Sequence, residues 1–362
     1  MIFGTFLTLK KLRTNPKSLV DDFRAYPVSI LKPLKGVDSG LEANLQSFFE
    51  LDYPSYELIF CVADARDPAF ALASDLMIRN PQVRSRIFIG ETEAGPNPKV
   101  RNMLAGYEAA AHDLVLISDS NVRVRGDYLK RMVPHAADPK VGLVTALVAG
   151  VRADGWGGAL EAAFLNAFCA RGMALAFSAG KPIVVGKSML FSRKTAERFG
   201  GLRSLGRFLA EDFMAGEAMT QLGMKVVLMQ DPVEQHLGTY SIRDFWSRHV
   251  RWGRIRKSQA PLIFPFELMQ SSFCMGALGA LAIPGLIGVT TMSFLVAHLS
   301  LWAICDGWLT VRISRARYSL RGFFAWAARE ALMVPLFFQV ILNNKVRWRG
   351  QTIYLRAGGI ID

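Results

Sequence analysis

The sequence predicts an α/β protein, a mostly parallel sheet followed by C-terminal transmembrane helices. Short apolar runs at 28–31, 58–62 and 114–117 are each followed within two residues by a charged one. Stretches of helical periodicity separate them, and that alternation argues for βαβ units with both faces of the sheet covered. From 268 to 305 there is no Asp, Glu, Lys or Arg, which is long enough for a two-helix membrane hairpin.

In chain order, the N-terminal segment (1–26) opens with an apolar run that Lys10, Lys11 and Arg13 end. It is too short for a secretory leader or a spanning helix and suits the membrane interface. The catalytic domain is expected over 27–240. Its first strand, 28–31, breaks at Lys32-Pro33, and Lys35-Gly36 follows in a turn. Leu41, Leu45, Phe48 and Phe49 repeat at helical spacing, and the second strand stops at Asp64, just before Asp67-Pro68. Residues 69–79 read as helix and 87–89 as strand. Asn97 suits an N-cap and Pro98 the first helical position, with Val100, Met103, Leu104 and Tyr107 on one face. The run 114–117 reads as a strand buried on both faces, ending at Ser118-Asp119-Ser120-Asn121.

Parallel strands end on one edge, so Lys32, Lys35, Asp64, Asp67 and Asp119 gather there with Lys99 at a helix start. Such a basic rim with acidic positions suits a nucleoside diphosphate. Carboxylates would grip the nucleoside, Asp119 and Asn121 a divalent cation, and Lys99 and the helix N-terminus the phosphates. Turn or capping roles account for the same acids in a protein without such a site. Gly186-Lys187-Ser188 resembles the end of an ATP-binding loop, but that pattern needs glycine where Lys181 stands, and a strand follows. Glu211-Asp212 opens a helix that runs to Leu222 and stops at Gly223. The helix dipole favours acids there, and a general base at the mouth of the site is the functional reading.

Residues 241–267 interleave Arg243, Arg248, Arg251, Arg254, Arg256 and Lys257 with Phe245, Trp246 and Trp252. Standing directly before an apolar stretch, they read as an interfacial helix, not a nucleic-acid patch. The membrane domain is expected over 268–343, with a hairpin at 268–311 turning near 288–291. A third segment at 322–343 contains Arg329-Glu330 and is read as re-entrant or interfacial, since unpaired charges there would each cost about 2.5–3.5 kcal/mol. Arg312, Arg315, Arg317 and Arg321 place their loop, the catalytic domain and the basic tail (344–362) in the cytoplasm. A net charge of +13 over 362 residues favours an anionic partner or surface, and four widely spaced cysteines imply neither zinc nor a disulfide framework.

These residues together resemble the ceramide glucosyltransferase family, membrane-bound inverting glycosyltransferases with a GT-A fold. The resemblance rests on VSILKPLKG (28–36), FFELDYP (48–54), CVADARDPA (61–69), NPKVRN (97–102), SDSNVRV (118–124), AEDF (210–213) and RHVRW (248–252). Trp348, Arg349, Tyr354-Leu355-Arg356 and Gly358-Gly359 complete it. It implies functional positions at Asp67, Asp119, Asp212, Arg248, Arg251 and Trp252, with Asp64 near the nucleotide base. A UDP-sugar, most simply UDP-glucose, would bind Lys32, Asp64, Asp67, Lys99 and Asp119, with Mg²⁺ or Mn²⁺ on Asp119 and Asn121. Asp212 would deprotonate the primary hydroxyl of a ceramide-like lipid, and Arg251 and Trp252 would serve leaving group and acceptor. The resemblance implies an integral membrane protein, of the inner membrane in a bacterium, with no nucleic-acid partner. Asn121 stands where many such enzymes have aspartate, and Cys169-Ala170-Arg171 where eukaryotic members show His-Pro-Arg, which leaves the acceptor open. A transferase for another lipid such as a hopanoid polyol, another donor, and a non-catalytic lipid-binding scaffold remain alternatives.

Overall fold

The structure is a computed structural model describing residues 1–13, 25–38, 40–348 and 351–361. Most of the N-terminal segment after Arg13, and Arg349 of the tail, lie outside the described residues. In chain order the principal elements are α1 (Ile2–Arg13), β1 (Val28–Leu34), α2 (Leu41–Phe49), β2 (Tyr56–Val62), α3 (Pro68–Arg79) and β3 (Ser85–Ile89). Then come α4 (Pro98–Glu108), β4 (Leu114–Ile117), α5 (Tyr128–Ala136), β5 (Val141–Ala153), α6 (Trp156–Ser178) and β6 (Met189–Ser192). The chain continues through α7 (Glu211–Gln221), β7 (Lys225–Gly238), α8 (Ile242–Gln259), α9 (Ser272–Ile287), α10 (Thr291–Ser314), α11 (Leu320–Ile341), β8 (Lys345–Trp348) and β9 (Gln351–Tyr354).

Two compact units emerge. One comprises Lys11–Val148 and Ala176–His236; the other comprises Met1–Lys10, Ala149–Leu175 and Leu237–Asp362. This division differs from a single break at 240, because Ala149–Leu175 groups with the C-terminal helices.

In the first unit the sheet order is β3-β2-β1-β4-β6-β5-β7. β3, β2, β1 and β4 are mutually parallel, whereas β6 runs antiparallel to both β4 and β5. Helix α4 lies close on β2: a Cβ at Gly106 would come within 2.7 Å of Cys61 Sγ and 2.8 Å of Ile59 Cγ2, so only glycine permits this approach. Around that contact Val100, Met103, Leu104, Val115, Ile117 and Phe191 form the buried core. The expected break at Lys32-Pro33 does not occur. β1 continues to Leu34 because β4 pairs with it only as far as Leu31, leaving Pro33 beyond that ladder, where its missing N–H costs nothing on that side.

The second unit is mostly helical and also carries the β8-β9 hairpin. α6, α10 and α11 are each long and apolar enough to cross a bilayer, and the segment Phe264–Gln270 joins α9 at a 77° bend. Glycine 288, at φ +70°, turns α9 into α10, near the hairpin turn the sequence predicts. The third apolar stretch is one 22-residue helix, α11. Its Arg329 and Glu330 bond to each other, and Glu330 Oε2 also accepts the Ser272 amide at 2.5 Å and hydroxyl at 2.9 Å. The charges are therefore paired, which removes the reason for keeping them out of a spanning helix. Arg171 of α6 is likewise paired with Asp306 of α10, both 1% exposed, and Asp306 accepts from Trp326 Nε1 at 3.0 Å. All four cysteines are free, Cys61 and Cys305 buried and Cys169 and Cys274 half-buried.

Candidate active site

Parallel strands deliver their ends to one edge, and in the first unit that edge carries β1's Lys32, β2's Asp64 and β4's Asp119. Because β6 runs antiparallel, it starts where β4 ends, with Met189 opposite Ile117. Its lead-in, Gly186-Lys187-Ser188, is thereby brought to Asp119. Asparagine 97 caps α4, accepting from the Lys99 amide at 2.8 Å, and its own amide donates to Phe208 O at 2.7 Å and Glu211 Oε2 at 3.2 Å. One buried side chain thus joins the starts of α4 and α7.

At the centre, Lys99 Nζ lies 2.7 Å from both Asp119 Oδ1 and Glu211 Oε1. Burial works to lower the Lys99 pKa, but Asp119, Glu211 and Asp212 outweigh it and hold it raised. Burial opposes ionisation of Asp119 too, yet Lys99 and Lys187 keep its carboxyl well below the usual range. Aspartate 212 behaves in the opposite way. Burial, then the Glu211 charge, raise it to about 6 against the pull of Lys99 and of amide donors from Phe213 and Gly186. Two carboxylates of one cluster are thus pushed apart, one ionised and one poised to exchange a proton near neutrality.

The remaining sequence-predicted residues fall into distinct places. Lys32 is fully buried, with its ammonium 3.2 Å from Ser118 Oγ and 2.7 Å from the Asp119 carbonyl, over the Phe48 ring. It is not on the rim in this structure and acts on the edge through the Asp119 backbone. Aspartate 67 caps α3 through the Ala69 amide at 2.9 Å and receives the Gly36 amide on both oxygens at 2.8 and 3.0 Å, tying the turns after β1 and β2 together. Asp64 is solvent-exposed, 2.6 Å from Arg66, whose side chain and amide hold it down to about 2. Arg248, Arg251 and Trp252 lie on α8 of the helical unit. There Arg248 stacks over Tyr240 and Trp252 and reaches Glu161 Oε1 at 3.4 Å, while fully buried Glu161 accepts from His249 at 2.7 Å.

Lys187 is the residue sequence reasoning missed. Its Nζ stands 2.5 Å from Asn121 Oδ1 and 3.4 Å from Asp119 Oδ2. Gly186 offers its amide to Asp212 Oδ2 at 2.6 Å, and Ser188 bonds to Tyr128. The signal that marks it in the sequence is Gly186-Lys187-Ser188, a basic residue just ahead of a strand.

Among the described residues no three His, Cys, Asp or Glu side chains form a closed metal cage. Asp119 and Asn121 nevertheless turn one oxygen each toward a single cationic centre, the Lys187 ammonium. Two protein oxygens completed by substrate phosphates are what a hard divalent cation such as Mg²⁺ or Mn²⁺ accepts, so this donor set fits one.

Comparison with known proteins agrees with this architecture. Ceramide glucosyltransferase 3 of Caenorhabditis elegans is 29% identical over 359 residues, spanning 98% of this chain and 78% of that protein. The ceramide glucosyltransferase of Komagataella phaffii is 27% identical over 438 residues, spanning 96% and 86%. In fold the chain is similar to a mannosyltransferase from Pyrobaculum calidifontis solved with GDP-Man and Mn²⁺, with a TM-score of 0.50, 17% identity, and 94% and 95% of the two chains covered. The profile of Glycosyl transferase family 21 matches residues 1–361, and the chain belongs to that family.

Proposed function

We propose that this glycosyltransferase moves a hexose, most simply glucose, from a UDP-sugar to the primary hydroxyl of a ceramide-like lipid, with inversion to a β-glycoside. The observation that carries the reading is the convergence of Asp119 and Glu211 on the Lys99 ammonium at a parallel sheet edge, with Asp212 beside it on the Gly186 amide. Open α/β sheets bind nucleotides at that edge. The relatives named above as ceramide glucosyltransferases supply the choice of glucose and of ceramide.

In this scheme Asp212 accepts the proton of the acceptor hydroxyl. The Gly186 amide fixes its carboxylate, and the raised pKa suits a base working near neutrality. Lys99 and the capped start of α4 face the diphosphate, and Asp64 and Asp67 the nucleoside. A divalent cation held by Asp119 and Asn121 would supply Lewis-acid stabilisation of the departing diphosphate. Arg248, Arg251 and Trp252 enter on sequence resemblance alone, for charge on the leaving group and a wall for the acceptor. Helices α6, α10 and α11 would seat the protein in the bilayer, with the arginines between α10 and α11 on the cytoplasmic side with the catalytic unit.

The test is UDP release by detergent-solubilised protein given ceramide and UDP-glucose, UDP-galactose or UDP-GlcNAc, with and without Mn²⁺, beside Asp212→Asn. Ceramide-dependent turnover that the variant loses supports the reading and names the donor. Binding of UDP without ceramide turnover redirects it to another lipid, such as a hopanoid polyol. Absence of UDP binding overturns it.

A further inference from the structure

The ammonium of Lys187 stands where a divalent cation would be expected. Both oxygens assigned to a metal, one from Asp119 and one from Asn121, face it, while Lys99 takes the other Asp119 oxygen. Lys187 is 8% exposed and sits in the short lead-in to β6, so its position is set by the sheet. Asp119, by contrast, keeps 26% of its side chain open. The carboxylate therefore carries two ammonium neighbours and remains reachable from solvent.

Charge balance then decides what can enter. A divalent cation arriving alone would meet two positive groups a few ångströms away, in surroundings where unit charges interact at several times their strength in water. A nucleoside diphosphate reverses that balance by bringing its own negative oxygens. A lysine is a point charge on a four-carbon stem, able to turn from a carboxylate to a phosphate without backbone movement.

We propose that Lys187 is a tethered counter-cation of the donor site. It neutralises Asp119 and bonds to the Asn121 oxygen while the donor is absent and turns onto the diphosphate when the donor binds, so that metal and nucleotide enter together. The diphosphate half rests on the UDP-sugar reading above; the metal half does not.

The experiment is titration of detergent-solubilised full-length protein, wild type, Lys187→Met and Lys187→Arg. Mn²⁺ binding is read without nucleotide by calorimetry or electron paramagnetic resonance, and UDP binding is read separately in EDTA. Methionine fills similar space without charge. Lys187→Met is expected to bind free Mn²⁺ about tenfold tighter or more and UDP about tenfold weaker or more. Lys187→Arg is expected to stay near wild type in both. Misfolding would weaken both affinities, so opposite signs cannot arise from structural damage. Unchanged or weaker Mn²⁺ binding in Lys187→Met overturns the proposal, as does tighter Mn²⁺ binding with UDP affinity unaltered. If wild type binds no UDP, the UDP-sugar reading fails, while the nucleotide-free Mn²⁺ comparison still decides the counter-cation role.

Discussion

The backbone amide of Gly186 donates to Asp212 Oδ2 at 2.6 Å, and a Cβ at that glycine would stand 2.9 Å from Lys99 Nζ and 3.2 Å from the same carboxylate oxygen. Its conformation is not the reason for glycine here; the space is. Gly186→Ala is therefore expected to displace both Lys99 and Asp212. A shift of about 1 Å in a positioned group costs roughly 10²-fold in rate. Steady-state turnover beside UDP affinity checks this, with the loss expected in kcat.

Asp212→Asn is expected to lower kcat by about 10²- to 10⁴-fold while leaving UDP binding nearly unchanged. In the wild type a base with its pKa raised to about 6 must be ionised to work, so kcat/KM should rise as pH increases through about 6 and level off above it. Stability runs the other way. The folded chain holds a proton that an ordinary aspartate releases near pH 4, so this group's contribution falls as pH rises from about 4 to 6. Asparagine removes that dependence, and thermal melts should show the variant gaining on wild type across that window.

Lys32→Met tests a lysine that acts from beneath the site. Burial holds its pKa well below the ordinary lysine value, and the substitution relieves that burial cost while leaving Ser118 Oγ and the Asp119 carbonyl each short of a donor. A lost buried partner costs about 1–3 kcal/mol, so the two effects largely offset and the melting temperature should move little. The released Asp119 backbone should instead appear as weaker UDP and Mn²⁺ binding, measured by titration.

Arg171 and Asp306 should behave as a unit. Asp306→Leu alone leaves a buried guanidinium uncompensated, at a cost of about 3–5 kcal/mol, and the double variant Arg171→Met/Asp306→Leu should be milder than either single change. Denaturant unfolding in detergent of all four proteins gives the cycle. Additive losses would show that the two charges do not depend on each other.

The parts of this fold that were legible in the sequence are those governed by local pattern. The strands at 58–62 and 114–117, the Asn97 cap with Pro98 behind it and the helix opened by Glu211 all depend on neighbours in the chain. What was hidden depends on pairing across distance. Strand β5 and the reversed β6 carry no local sign that they complete a parallel sheet, and that reversal is what brings Lys187 to Asp119. Helix α6 was hidden in the same way: Glu161 and Arg171 interrupt its apolar run, and only the His249 and Asp306 partners show why charges are tolerated there. The isolated acids were read by type more successfully than by duty. Asp67 is visible as an acid at a strand end, but its grip on the Gly36 amide is a tertiary fact.

The pairing of Arg171 with Asp306 also orders the chain's assembly in time. The two residues are 135 positions apart. When α6 emerges from the ribosome its arginine has no counter-ion, and none exists until α10 has been made. If α6 spans the bilayer, its unpaired arginine adds about 2.5–3.5 kcal/mol to early insertion, which favours insertion after the later hairpin has supplied the carboxylate. A nascent chain arrested before residue 306 should leave α6 extractable by alkaline carbonate, and one released after it should not.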